Sequence, residues 1–313
     1  MSHSLVAYLP EMKSKWNDAV KQARNGHFMF LRDYMDYHSD RFNDASFFLL
    51  RGNRVVALLA AHINDRDILS HQGLSFGGWI QLPRCLHVDL KAGFRLLGEE
   101  MKRRQIQRLV YTPSPYPYHL EACDDDLFLL KQSGASLDQV KLSSFIPTAQ
   151  FPERKSEQRR RLRKAAETSP CIIEETADVE LFWEHLCRFL AQRHQASPVH
   201  SVAEICLLKK RFPENIRFFV CRQGEEFCAG EVIFLSQNVL RLQYTFYFEP
   251  TSQSYLNFRL QESICRNPDL HRPWIDLGTS MEPGTENLMA QLHLNKENFG
   301  AHSVLMQTWI WEP

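Results

Sequence analysis

Between Ile216 and Ser280 the spacing of hydrophobic positions switches repeatedly. Ile216 to Arg222 is a short apolar run that breaks at Gln223-Gly224, Phe227 to Leu235 a second that breaks at Gln237-Asn238, and Leu240 to Phe248 a third. Their alternation and their β-branched and aromatic content predict three strands joined by tight hairpin turns. Glu249-Pro250 stops the third. Tyr255, Leu256, Phe258, Leu260 and Ile264 then recur at helical spacing, predicting an amphipathic helix from Tyr255 to Cys265. His271 to Gly278 returns as a strand, Asn287 to Asn298 as a helix, and Ala301 to Trp311 as a last strand. The order is β-β-β-α-β-α-β.

The same order occurs earlier. Ala45 to Gly52, Arg54 to Ile63 and Asp67 to Trp79 read as three strands, and Val88 to Arg104 as a helix. Gln107 to Thr112 is a strand, His119 to Gln132 a helix, and Val140 to Ile146 a strand. The periods match although the residues do not, which predicts an internal duplication. The expected class is α+β, with two tandem domains, 1–150 and 151–313, each a mixed, mostly antiparallel sheet flanked by helices. A length of 313 residues exceeds one ordinary core and fits that division.

Outside the duplicated order, Lys13 to Arg24 and Val179 to His194 carry clear helical stripes. His27 to Phe42 predicts a helix burying Phe30, Tyr34 and Tyr37, with the roles of Arg32 and His38 open. Ser201 and Glu204 have the spacing of a capping box, so a helix starts there. His200, one residue ahead in a proline-bearing loop, is the histidine most readily placed in a site.

Charge and cysteine usage narrow the function. Lys plus Arg and Asp plus Glu both number 37, so no global field draws in DNA or a membrane. The eight cysteines include no Cys-x-x-Cys pair, which favours reduced core thiols over disulfides or zinc. There is no His-Glu-x-x-His and no Gly-x-Ser-x-Gly, so neither a metal nor a serine nucleophile is expected. Neither a secretory leader nor a membrane-spanning run is visible, and a cytoplasmic location without stable membrane insertion is the expectation.

Candidate chemistry then falls in a few places. Ser70 to Gly78 holds three glycines in a strand pattern, a sign that a backbone or a ligand approaches closely, and it carries His71 and Gln72. Three prolines force Tyr111 to His119 into an extended rim bearing Tyr118 and His119. Ser156 is the expected cap of a helix whose Arg159, Arg160, Arg163 and Lys164 have few acidic neighbours, a solvated face or an anion site. Gln243, Tyr244, Asp276, Thr279 and Ser280 are polar residues on segments that otherwise read as core. Such a cluster needs partners or a water-filled cleft.

The duplicated order resembles the GNAT acyltransferase fold used twice, as in the FemAB-like branch of peptidoglycan-bridge aminoacyltransferases. Gln158 to Ala166 looks like the basic linker helix of that branch, and Asp276-Leu-Gly-Thr-Ser280 like its Asp-Phe-Gly-type strand end. Leu294 to Ala301 is similar to its Lys-x-x-Phe-Gly segment, matching at Lys296, Phe299 and Gly300. Ser70-His-Gln-Gly and Pro198-Val-His-Ser resemble segments of GNAT-like proteins associated with bacterial envelope polysaccharide.

The resemblance implies acyl or aminoacyl transfer to an amino group of an envelope sugar or peptide precursor. The donor would be an acyl-CoA or an aminoacyl-tRNA, its anionic part held by Arg159, Arg160, Arg163 and Lys164. In that fold the strands Leu240–Phe248 and Trp274–Gly278 splay to grip the donor in the second domain, and the first domain supplies an acceptor wall. Tyr244 would protonate the leaving group, and Asp276 or His200 would take the amine proton. Lys296 would neutralise an acceptor phosphate or carboxylate, with His71, Gln72, Tyr118, His119, Gln243 and Ser280 as further substrate contacts. Two departures count. Pro250 to Asn257 lacks the glycine loop that holds the coenzyme pyrophosphate in the acetyl-CoA branch, and there is no room for the long helical hairpin of the bridge enzymes. The rival expectation is a GNAT-derived binding or regulatory protein without chemistry.

Overall fold

The computed structural model describes residues 2–70, 73–248 and 255–313. His71 and Gln72, and the segment 249–254 after the third strand of the second repeat, lie outside the described residues.

The chain forms two compact units. The first comprises Met1–Leu142, Met281–Leu288 and Val304–Pro313, the second Ser143–Ser280 and Met289–Ser303. The halving at 1–150 and 151–313 is thus redrawn. Each repeat ends in a strand, and strand pairing, which the hydrophobic period does not encode, decides where that strand belongs.

The first unit begins with β1 (His3–Ala7), α1 (Lys13–Gln22) and α2 (Arg32–Met35). β2 (Asn43–Asp44), β3 (Phe47–Arg51), β4 (Arg54–Asn64), β5 (Asp67–Ser70) and β6 (Gly78–Gln81) follow. Then come α3 (His87–Arg103), β7 (Arg108–Tyr111), α4 (Asp125–Gln132) and β8 (Ser136–Pro147), whose last residues belong to the second unit. The second unit continues with α5 (Ser156–Thr168), β9 (Ile172–Glu175), α6 (Val179–His194) and α7 (Val202–Arg211). The meander follows as β10 (Ile216–Gln223), β11 (Glu226–Leu235) and β12 (Val239–Tyr247), then α8 (Leu256–Arg266), β13 (Trp274–Thr279) and α9 (Ala290–Phe299). β14 (His302–Trp311) closes the chain, mostly within the first unit.

In the first unit the strand order is β1-β3-β4-β5-β7-β14, with β2 and β6 also pairing with β4. The strand expected over Asp67 to Trp79 is two pieces: β5 lies along Ala61–Asn64 of β4, and β6 along Ala57–Ala60. Gly78 accounts for one glycine of the break. It has φ +90°, and a Cβ there would lie 2.7 Å from the Tyr111 hydroxyl. That hydroxyl accepts the Trp79 N–H at 2.6 Å and donates to the buried Asp126 carboxylate. Leu49, Leu59, Leu90, Phe94, Trp79 and Trp311 are buried together as the core, each large side chain contributing about 1.5–3 kcal/mol.

Other expectations shift locally. Only Asp125–Gln132 of the helix expected from His119 is helical, and the rim expected to be extended carries a 3-10 turn at Tyr116–Tyr118. His27 to Phe42 folds as short helical turns, and Arg32 is buried there, stacked on Tyr8 and Trp16 and ion-paired with Asp44. Among the described residues no helix is long and apolar enough to cross a membrane.

In the second unit the order is β8-β13-β12-β11-β10-β9. On one face α8 covers a core that includes Ile233, Leu240, Leu260 and Ile275. On the other, Phe182 of α6 meets Phe218 and Phe246 edge-on. The capping box forms as expected: the Ser201 hydroxyl accepts the Glu204 N–H at 3.2 Å, and the Glu204 carboxylate accepts the Ser201 N–H at 2.7 Å. Ser156 is not a cap but the first helical residue of α5, and Lys155 holds the cap position.

Gly78→Ala forces a left-handed backbone and a clash with Tyr111. It is expected to destabilise the protein by about 1–3 kcal/mol in denaturant unfolding. A variant as stable as the parent would remove this account of the β5–β6 break.

Candidate active site

The second unit contains a fork between two strands. β12 and β13 run parallel and pair only at Val239–Trp274, Leu240–Ile275 and Arg241–Asp276. Beyond Arg241 no further β12–β13 pair forms among the described residues. Two local irregularities open the gap. The register of β12 on β11 shifts from Val232–Tyr244 to Ile233–Leu242, leaving Gln243 as an extra, bulged residue that bends the strand. On the other side Gly278 has φ +72°, and the register of β13 on β8 shifts between Asp276 and Thr279. Backbone groups along an open strand edge need partners, from water or a ligand.

Asp276 sits at the crotch of the fork and is 1% exposed. Its Oδ2 accepts from Arg241 Nη1 at 2.6 Å, and its Oδ1 accepts the Gly278 N–H at 2.7 Å and the Ser143 hydroxyl at 3.3 Å. Arg241 Nε also donates to Gln243 Oε1 at 2.6 Å, so one guanidinium ties the bulge to the carboxylate. Ser280, just past β13, is buried, and its Oγ has no hydrogen-bond partner among the described residues.

Lys296 reaches the fork from α9. Its Nζ donates to the carbonyls of Gly278 at 2.9 Å and Thr279 at 2.8 Å. Burial pulls its pKa down to about 8; the Asp276 charge opposes that shift and the Arg241 charge adds to it. An ammonium has three donors, so two hydrogen bonds leave one for a substrate oxygen.

On the α6 face of β12, His200 Nδ1 lies 2.6 Å from the Tyr244 hydroxyl. The Tyr244 ring packs edge-on against Trp183, and burial pushes its phenol up to about 12, so it stays protonated at neutral pH. The structure therefore joins His200 to Tyr244, and Asp276 to Gln243 and Lys296, within one unit. Arg159, Arg160, Arg163 and Lys164 are exposed on α5. In the first unit, Tyr118 is buried against His27 and Phe76, and the half-buried His119 lies within hydrogen-bond distance of Ser114 and Cys123.

Glu231 escaped the sequence reading. It lies mid-strand on β11, opposite Thr245, and is fully buried. Its Oε2 accepts the Thr245 hydroxyl at 2.7 Å and the Gln261 amide at 3.0 Å, while Oε1 has no partner among the described residues. Burial raises its pKa to about 8. The signal was a lone carboxylate inside the apolar run Phe227 to Leu235, which strand alternation assigns to solvent.

No protein-family model matches this sequence, and neither does any curated protein. Solved structures do match its fold. FemX superposes with a TM-score of 0.70 at 10% identity, covering 100% of this chain and 98% of that one. L-PGS from Bacillus licheniformis gives 0.60 at 8% identity, covering 97% and 92%. A tandem GNAT protein from the clavulanic acid biosynthesis pathway gives 0.52 at 11% identity, covering 99% and 98%. The chain has the tandem GNAT fold, with the FemAB-like similarity that its motifs suggest.

A buried acid with a raised pKa holds its proton in the fold and loses it on unfolding. Glu231 therefore contributes stability at and below about pH 4–5 that is lost as pH rises toward about 8. Glu231→Gln keeps the acceptor for Thr245 and Gln261 but does not titrate. Between pH 5 and pH 8 the melting temperature of the parent is expected to fall more than that of the variant. Parallel curves would mean that Glu231 does not carry a raised pKa.

Proposed function

We propose that the protein is an N-acyltransferase that moves an acyl or aminoacyl group to an amino group of a bacterial envelope sugar or peptide precursor. The observation that carries this reading is the fork between β12 and β13, open where the bulge at Gln243 and the kink at Gly278 coincide. An acyl donor whose amide groups pair with the free edge of β12 would place its carbonyl beside Tyr244 and Lys296.

Transfer from an ester or thioester to an amine needs three things: a neutral amine, charge stabilisation at the carbonyl oxygen, and a proton for the leaving group. The third N–H of Lys296 is assigned to the developing oxyanion or to an acidic group of the acceptor. Tyr244, protonated at neutral pH, is assigned to the leaving oxygen or sulfur, and His200 at Nδ1 returns the proton that the phenol gives up. The proton released by the amine re-enters through His200. Asp276 has both oxygens engaged, so its part is to hold the fork and to keep Lys296 charged. Gln243 and Ser280 are assigned to substrate contacts.

The exposed basic face of α5, with Arg159, Arg160, Arg163 and Lys164, is assigned to the anionic part of the donor, acyl-CoA or aminoacyl-tRNA. Charge reversal at Arg160 and Lys164 is expected to leave the melting temperature nearly unchanged, since exposed charges contribute only about 0–1 kcal/mol each. It should weaken donor binding in a salt-dependent way. Equal donor affinity in parent and variant would detach α5 from the donor.

Transfer is tested by incubating the protein with labelled acetyl-CoA, or with aminoacyl-tRNA, and amino-bearing envelope precursors. His200→Ala and Tyr244→Phe are each expected to cut turnover by about 10²-fold or more with the fold intact. Full activity in both would remove the proton path. Tight donor binding without any transfer would instead favour the rival reading, a GNAT-derived binding protein.

Asp276→Asn is expected to lower the pKa of Lys296 below its present value of about 8, because the carboxylate is what raises it. An NMR titration of the lysine amine reads the midpoint directly. An unchanged midpoint would disconnect the two residues.

A further inference from the structure

Ahead of α5 the chain builds a second feature that the fork does not use. Arg154 is buried, at 7% exposure. Its guanidinium carbon lies 4.5 Å above the Phe258 ring, 5.0 Å from Phe299 and 5.8 Å from Phe151, a cradle of aromatic faces around a cation. Its Nε donates to Glu262 Oε1 at 2.8 Å, and its Nη2 has no hydrogen-bond partner among the described residues. A buried charged donor left without a partner is costly in a finished core, and it points to a group that arrives later.

The space beside it is a depression of about 390 Å³ lined by Glu153, Arg154, Arg159, Leu162, Glu262 and Arg266. Glu262 is matched there by two guanidiniums: the same Oε1 accepts from Arg266 Nε at 3.0 Å, and Arg266 Nη2 donates to the Pro152 carbonyl. Glu153 and Arg159 are exposed at its mouth. With Glu262 doubly matched, Arg154 Nη2 is the buried donor left over beside the depression, and the exposed Arg159 lines the same space.

We propose that Arg154 and Arg159 form a seat for a phosphate group, with Arg154 as its buried donor and Arg159 as an exposed second one. A planar guanidinium pre-oriented by rings suits the oxygen pairs of a phosphate. The seat continues onto α5, where Arg159 and Arg163 stand one turn apart, about 6 Å along the axis. A phosphate in the seat therefore lies at the head of a basic row. The phosphate can come from an RNA backbone or from a nucleotide coenzyme. The inference rests on the donor role proposed for α5, but its test reads binding alone.

Binding of pyrophosphate, adenosine 3′,5′-bisphosphate and a short single-stranded RNA is measured by calorimetry at low and moderate salt, on the parent, Arg154→Lys and Arg159→Ala. Arg154→Lys keeps the charge but loses Nη2 and the planar stack, and should weaken the binding of whichever probe the parent holds by about tenfold. Arg159→Ala alters an exposed side chain, leaves the fold intact, and should weaken it by about threefold or more. Arg95→Ala, far along the sequence on α3, should change nothing. A preference for the RNA or for the bisphosphate identifies the source, and either result supports the seat. If the parent binds none of the three, or if both arginine variants bind as the parent does, the seat is wrong. If the seat behaves as expected while no donor supports transfer, the seat stands and the transferase reading fails.

Discussion

The carboxylate of Asp276 is the constraint on which the second unit turns. Two parallel strands that part after three residue pairs leave a wedge, and such a wedge would close or collapse without something at its apex. Asp276 fills the apex with a carboxylate that binds the guanidinium of one strand, the backbone N–H at the kink of its own, and the hydroxyl of a third. Removing one partner of a buried pair of this kind costs far more than forming it gains. The same charge keeps the nearby lysine protonated further into the alkaline range than burial alone would allow. Architecture and chemistry at the fork thus share one group.

The motif Lys296-x-x-Phe299-Gly300 shows how short segments can carry several duties. Lys296 caps the carbonyls at the end of β13. Phe299, nearly one turn on, forms part of the ring cradle around Arg154. Gly300, at φ +111°, ends α9 where a Cβ would lie 2.6 Å from Pro152. One turn of helix therefore touches both the fork and the segment leading into the basic helix.

Much of this was legible in the sequence, for physical reasons. The meander Ile216 to Phe248 was plain because its strands are bounded by turn residues and its apolar content is continuous. The start of α7 was plain because Ser201 and Glu204 satisfy each other locally. The parting of β12 and β13 was inferred from a resemblance, and polar residues at Gln243, Tyr244 and Asp276 marked the place. What stayed hidden depends on contacts far apart in sequence. Glu231 looked solvent-facing because alternation cannot tell that both faces of β11 are covered. The burial of Arg154 is not visible in the sequence, because it is made by Phe258 and Phe299, more than a hundred positions later. The exchange of terminal strands was invisible for the same reason: pairing partners are chosen in three dimensions.

That exchange has a temporal side. Trp309 of β14 pairs with Tyr111 of β7, and Trp311 lies in the same core as Leu59 and Phe94. During synthesis the N-terminal repeat leaves the ribosome with an open sheet edge and part of its core missing, and neither is completed until β14 emerges. Long-range pairing of this kind is slow to form and exposes unpaired edges meanwhile. The unit whose translation begins first thus cannot complete its sheet or its core until β14 has followed the segments of the second unit.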